Sequence, residues 1–134
     1  GGALKGGEFD LNATPDALPA MAVTGCFAEG VTRLVNVPQA RIKETDRIAV
    51  MREVIAALGG RAEELPDGLV VHGTGLRGGS APGHGDHRVV MACAIAGIAA
   101  DRPVTVDTAE AAGITFPTFV ELMTQCGAKM ERKA

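Results

Sequence analysis

The sequence predicts an α/β (α+β) fold made of two copies of one unit of about 70 residues, on three observations. Segments with helical apolar spacing alternate with short β-branched stretches. Helix starts recur at nearly the same distance: Thr14 and Asp86 are 72 apart (86 − 14), and Thr45 and Thr115 are 70 apart (115 − 45). The chain after the two longer helices also repeats, as Gly59-Gly60-Arg61-Ala62-Glu63 and Gly127-Ala128-Lys129-Met130-Glu131. Such a period is too long for a solenoid and fits a duplicated supersecondary unit.

Glu8-Phe9-Asp10-Leu11 reads as a short edge strand. Thr14-Pro15-Asp16 then opens a helix, with Thr as N-cap, Pro at the first helical position and an acid in the first turn. Leu18, Met21, Ala22 and Ala28 give that helix an apolar side, and Gly30 ends it. Val31 to Val37 is strand-like. Ile48, Met51, Ile55 and Leu58 recur at steps of three and four, one helical face, with Thr45 as the expected N-cap and Gly59 as the stop. Arg61 to Glu64 and Leu69 to His72 form a hairpin around Pro66-Asp67-Gly68. A Gly-rich loop from Gly73 to Gly85 leads to Asp86, the N-cap of an Ala-rich helix, Val89 to Ala100, apolar nearly all round and so expected to be buried. Pro103 to Asp107 is a further strand, Thr115-Phe116-Pro117 starts a last helix, and Ala128 to Glu131 closes the chain as a strand.

Composition bounds the function. At 134 residues and 46% hydrophobic, the chain is one globular domain with a substantial core. A net charge of −3 disfavours a nucleic acid or an anionic membrane as partner. Four Phe, with no Trp or Tyr, leave no platform for stacking bases. Cys26, Cys93 and Cys126 are odd in number and sit in apolar helical settings, so they read as buried free thiols of a reducing compartment rather than zinc ligands or disulfides. No apolar run approaches about 20 residues and no basic-then-apolar leader opens the chain, so a soluble, cytoplasmic protein is expected. A start at Gly1-Gly2-Ala3 without an initiator Met reads as the inside of a longer chain.

Chemistry gathers in Arg41-Ile42-Lys43-Glu44-Thr45-Asp46-Arg47. With Thr45 as cap, Arg47 falls in the first helical turn, where a cation opposes the helix dipole by a few tenths of a kcal/mol or more. Glu44, three residues earlier, shares its side of the chain. In the same register the second helical positions of the four helices hold Asp16, Arg47, Arg88 and Pro117. Two arginines set against the dipole at equivalent helix starts predict a site for a multiply charged anion, with the Asp16 carboxylate beside it.

Pro15-Asp16, the strand ending at Asn36, Arg41 to Arg47, Gly85-Asp86-His87-Arg88 and Phe116-Pro117 resemble, in order and spacing, the C-terminal domain of the 5-enolpyruvylshikimate-3-phosphate synthases, the 3-phosphoshikimate 1-carboxyvinyltransferases. The likeness runs from about Asp10 to Glu131, and its specific signal is the pairing of Lys43-Glu44-Thr45-Asp46-Arg47 with Asp86-His87-Arg88. It implies two similar domains, each of three α/β units with helices inside and small sheets outside. This chain would hold the last two units of the second domain, about 8–72 and 73–134, with the N-terminal domain absent. It implies transfer of the enolpyruvyl group of phosphoenolpyruvate to the 5-hydroxyl of shikimate 3-phosphate through a tetrahedral intermediate, with no metal or organic cofactor. On the same resemblance Asp16 takes the hydroxyl proton and Glu44 moves a proton at C3. Lys43 and Gln39 touch shikimate 3-phosphate, Arg47 and Arg88 hold the phosphoenolpyruvate carboxylate, and His87 lines the site.

One departure is Ile114, where many relatives carry a Lys that meets the transferred phosphate. His72, His84 and Gly78-Gly79-Ser80 read as structural or connecting. The absent domain, which in the family supplies most contacts to shikimate 3-phosphate, is a required partner, so the segment alone is expected to be inactive. The alternatives are a UDP-N-acetylglucosamine enolpyruvyl transferase, which lacks the paired motif, and a non-catalytic anion-binding or interaction module on the same scaffold.

Overall fold

Val31–Val35 alternates outward and inward along its length, sending Thr32 and Leu34 into the protein. This is the period of a strand covered on one face. In the computed structural model, which describes residues 5–107, it is strand β2, preceded by β1 (Glu8–Asp10) and followed by β3 (Arg61–Leu65) and β4 (Gly68–His72). Their order in the sheet is β1-β2-β4-β3. β1 is the expected edge strand, parallel to β2 with Phe9 opposite Leu34. β4, whose Leu69-Val70-Val71 run is buried throughout, lies antiparallel to both neighbours, Leu34 opposite Leu69 and Ala62 opposite Val71. The expected hairpin is present. Gly68 at its turn lies so close to β2 that an added Cβ would sit 2.1 Å from the Leu34 carbonyl oxygen.

Three α-helices pack behind this sheet: α1 (Leu18–Cys26), α2 (Arg47–Ala57) and α3 (His87–Ala99). α1 touches β2, β4, α2 and α3, so it stands between the sheet and α3. Leu18 and Val23 of α1, Ile48, Met51 and Ile55 of α2, Val89 and Cys93 of α3, and Leu69 and Val71 of β4 share one fully enclosed core. Truncating any of the larger ones to Ala is worth roughly 2–5 kcal/mol. On the far side of α3, β6 (Val104–Val106) pairs in parallel with β5 (Gly79–Ala81). Helices are inside and small sheets outside. The segments β1-α1-β2 and β5-α3-β6 have the same form, a helix joining two parallel strands.

Several expectations are corrected. The chain after Thr14 first makes a 3-10 turn, Pro15–Ala17, and the Thr14 hydroxyl caps nothing; α1 starts only at Leu18. It ends at Cys26, before Gly30. A second 3-10 turn, Pro38–Ile42, precedes α2. The N-cap of α2 is Asp46 rather than Thr45, because the Asp46 carboxylate accepts from the Ala49 amide at 3.1 Å while the Thr45 hydroxyl is drawn elsewhere. Part of the Gly73–Gly85 loop is strand β5. α3 is not buried all round, since Ile98 is half exposed. The last helix and closing strand, with Ile114 and Cys126, lie outside the described residues.

Candidate active site

Arg41 prepares the site without entering it. Its guanidinium donates to Asp46 Oδ2 at 2.9 Å, to Glu64 Oε1 at 3.1 Å, and to the Pro66 and Leu65 carbonyl oxygens at 2.9 and 2.7 Å. Desolvation works to lower its pKa, but the hydrogen bonds and charges of Asp46 and Glu64 outweigh that and raise it. The side chain therefore fastens the approach to α2 onto the β3–β4 turn, and its partner Asp46 caps the helix.

Arg47, the first residue of α2, is 1% exposed. A buried guanidinium demands partners for its five N–H groups, and three carboxylates supply four of them. Asp86, 0% exposed, takes a two-point contact, from Nε to Oδ2 at 2.9 Å and from Nη2 to Oδ1 at 3.1 Å. Nη1 donates to Asp16 Oδ1 at 2.9 Å, and Nη2 also donates to Glu44. Desolvation pulls the Arg47 pKa down, but the Asp86 hydrogen bonds and the charges of Asp86, Glu44 and Asp16 raise it overall. Asp86 itself is pushed up by burial, yet hydrogen bonds from Arg47 and Thr45, the Arg47 charge and the Arg88 amide leave its carboxyl below the ordinary range. The Thr45 hydroxyl donates to Asp86 Oδ2 at 2.8 Å, and the Arg88 amide to Oδ1 at 3.0 Å, so Asp86 caps α3 as expected.

Asp16 and Glu44 are about half exposed above this pair. Lys43 Nζ is 3.6 Å from Asp16 Oδ1. Desolvation acts to raise the Asp16 pKa, but the charges of Lys43, Arg47 and Arg88 and the Arg47 hydrogen bond prevail and lower it. Arg88, second in α3, is exposed, with no ion pair to its guanidinium among the described residues. His87 is the first residue of α3 and partly buried. Gln39, in the second 3-10 turn, donates from Nε2 to the Asn12 carbonyl at 2.9 Å, leaving its buried Oε1 unpartnered among the described residues. Thus Asp16 and Glu44 meet on the Arg47 guanidinium, with Lys43 beside Asp16 and the Arg88 charge acting on Asp16, while Gln39 is held by the Asn12 carbonyl beyond the end of β1.

Two details escape a linear reading. Asp86 looks like a helix cap and nothing more, although it meets Arg47 in a two-point contact across 39 residues. Arg47 directs its paired N–H groups at that carboxylate, which among the described residues leaves one Nη1 hydrogen for a ligand. His72 and His84 lie apart, near Glu63 at 3.7 Å and Glu53 at 3.4 Å. Among the described residues no cluster of His, Cys, Asp or Glu is arranged to hold a metal ion, and no helix is long and apolar enough to cross a membrane.

Residues 1–123 match the family profile of EPSP synthase (3-phosphoshikimate 1-carboxyvinyltransferase). The chain is 55% identical over 131 residues to a 3-phosphoshikimate 1-carboxyvinyltransferase of Ruminiclostridium cellulolyticum, covering 98% of this chain and 31% of that protein. It is 58% identical over 125 residues to one of Acetivibrio thermocellus, covering 93% and 30%. The structure of EPSP synthase from Acinetobacter baumannii superposes with a TM-score of 0.91 at 31% identity, over 96% of this chain and 32% of that one. The enolpyruvyl transferase NikO from Streptomyces tendae, at 22% identity and a TM-score of 0.77 over 98% and 30%, shares the fold. The chain thus spans about a third of the length of these relatives.

Proposed function

The chain belongs to the EPSP synthase family, and from that premise we propose that it furnishes one wall of a site that transfers the enolpyruvyl group of phosphoenolpyruvate to the 5-hydroxyl of shikimate 3-phosphate. The observation that carries this reading is the Arg47 hub, which gathers Asp16 and Glu44, with Lys43 beside Asp16 and the Arg88 charge acting on it. The reaction needs two separate proton carriers. Asp16 accepts the proton of the 5-hydroxyl as its oxygen bonds to C2 of phosphoenolpyruvate. Glu44 delivers a proton to C3, giving the tetrahedral intermediate. Glu44 then takes a proton back from C3 as the C2–O bond to phosphate breaks, and inorganic phosphate leaves with the proton first held by Asp16.

The lowered pKa of Asp16 supports its role as the carboxylate that starts ionised. It also makes Asp16 a weak base. Anionic substrates near Lys43, Arg47 and Arg88 would offset those charges and raise its pKa toward the working range. Arg88 and the remaining Nη1 hydrogen of Arg47 receive the phosphoenolpyruvate carboxylate, His87 lines that pocket, and Gln39 and Lys43 meet shikimate 3-phosphate. Segments of about 8–72 and 73–134 form the two repeat units, a reading supported by the like forms of β1-α1-β2 and β5-α3-β6. The buried thiols Cys26 and Cys93, whose pKa values burial pushes up to about 12, support a reducing, cytoplasmic setting.

The site residues carry three cations, Lys43, Arg47 and Arg88, against three carboxylates, Asp16, Glu44 and Asp86. A balanced wall cannot hold a phosphorylated anion strongly, so the remaining positive charge comes from the partner domain. The 134 residues alone are expected to release no measurable phosphate from phosphoenolpyruvate. A chimera in which they replace the matching segment of the Ruminiclostridium cellulolyticum enzyme should release it only when shikimate 3-phosphate is added. Asp16→Asn should lower kcat of that chimera by about 10²–10⁴. Undiminished turnover in that variant would remove Asp16 from the mechanism, and an inactive chimera would remove the enzymatic reading.

A further inference from the structure

We propose that Asp86 is a positioning residue of this site: its buried carboxylate fixes the plane of the Arg47 guanidinium and, through it, the placement and charge environment of Asp16 and Glu44. The inference rests on the reading above for its link to catalysis, but its physical content is independent of turnover.

Both members of the pair are withdrawn from water, at 1% and 0% exposure, so nothing but protein determines how Arg47 lies. A two-point contact through Nε and Nη2 sets a guanidinium in one plane, which a single hydrogen bond does not. The remaining donors of Arg47 then emerge under the two outer carboxylates, Nη1 toward Asp16 and Nη2 toward Glu44. Asp86 is itself immobilised from two elements. The Thr45 hydroxyl, ahead of α2, and the Arg88 amide, at the start of α3, each bind one of its oxygens. Asp86 therefore joins the beginnings of the two helices that carry the site, and it neutralises Arg47 at the point where that charge would otherwise bear fully on Asp16 and Glu44.

Among the described residues the other charged groups acting on Asp16 are Lys43, before α2, and Arg88 in α3, and His87 adjoins Asp86 in the chain. They are unaltered by a change at Asp86 alone. Replacing Asp86 by a neutral residue of the same shape should leave more of the Arg47 charge bearing on Asp16, which should hold its proton less tightly.

Asp86→Asn is the direct test, since Asn also caps helices and keeps an acceptor for the Arg88 amide. The side-chain carboxyl carbon of Asp16, labelled with carbon-13, is titrated by NMR in the 134-residue chain and in the variant. The expected result is a downward shift of the Asp16 titration by about half a pH unit or more. Should D86N not fold, Asp86→Glu keeps the charge but displaces it by one methylene, and the Asp16 titration should then move. An unmoved Asp16 in either folded variant overturns the proposal. Failure of both variants to fold also overturns it, since the role would then be structural. Inactivity of the chimera would leave these titrations standing, so the two readings fail separately.

Discussion

Arg47 and Asp86 tie stability to pH. Asp86, and Asp16 less so because it is half exposed, have folded-state pKa values below those of the unfolded chain. A depressed carboxylate contributes stability that is fully present above its unfolded pKa, near 3.9, and is lost as pH falls through the folded value. Urea denaturation should therefore give nearly constant stability from about pH 7 to 5 and a decline below about 4. D86N, lacking the main contributor, should show a shallower decline. An equal decline in both would mean that other groups govern acid unfolding. These partners were only partly legible in sequence. Glu44 could be read, because three residues along a helix start share a side. Asp86 could not, because a carboxylate ahead of a helix is an adequate cap whether or not an arginine from 39 residues away meets it.

At the scale of elements, strong periodicity was legible and weak local signals were not. Ile48, Met51, Ile55 and Leu58, read as one face, all have zero exposure. The hairpin at Pro66-Asp67 was equally plain, since turn residues separate two strand-like runs. Thr45 and Asp46 are adjacent and both good caps; the choice fell to Asp46 because Arg41 holds it in place and Asp86 captures the Thr45 hydroxyl. β5, Gly79-Ser80-Ala81, has no side-chain pattern and is a strand only because β6 pairs with it. Glycines separate in the same way. Gly30 has φ +81 with nothing within 4 Å of an added Cβ, so Gly30→Ala should cost only the backbone strain, about 1 kcal/mol. Gly68→Ala drives a Cβ into the Leu34 carbonyl, which belongs to a paired strand and cannot swing away. It should cost about 3 kcal/mol or more, read as a lower denaturation midpoint. Similar losses at the two sites would contradict the close strand approach.

For the whole molecule, the two parallel strand pairs govern the order in which structure can appear. Neighbouring strands that run the same way cannot be joined by a tight turn, and here α1 lies between β1 and β2, as α3 does between β5 and β6. The β3–β4 hairpin has no such requirement and closes over a short loop. In refolding followed by pulsed deuterium labelling, amides of β3 and β4 should gain protection first, and those of β1 should gain it only together with α1. Protection in β1 ahead of α1 would refute this order. A ribosome releasing this segment thus exposes the β1 edge until nine residues of helix have folded over the connection, an interval in which chaperone capture is most favoured.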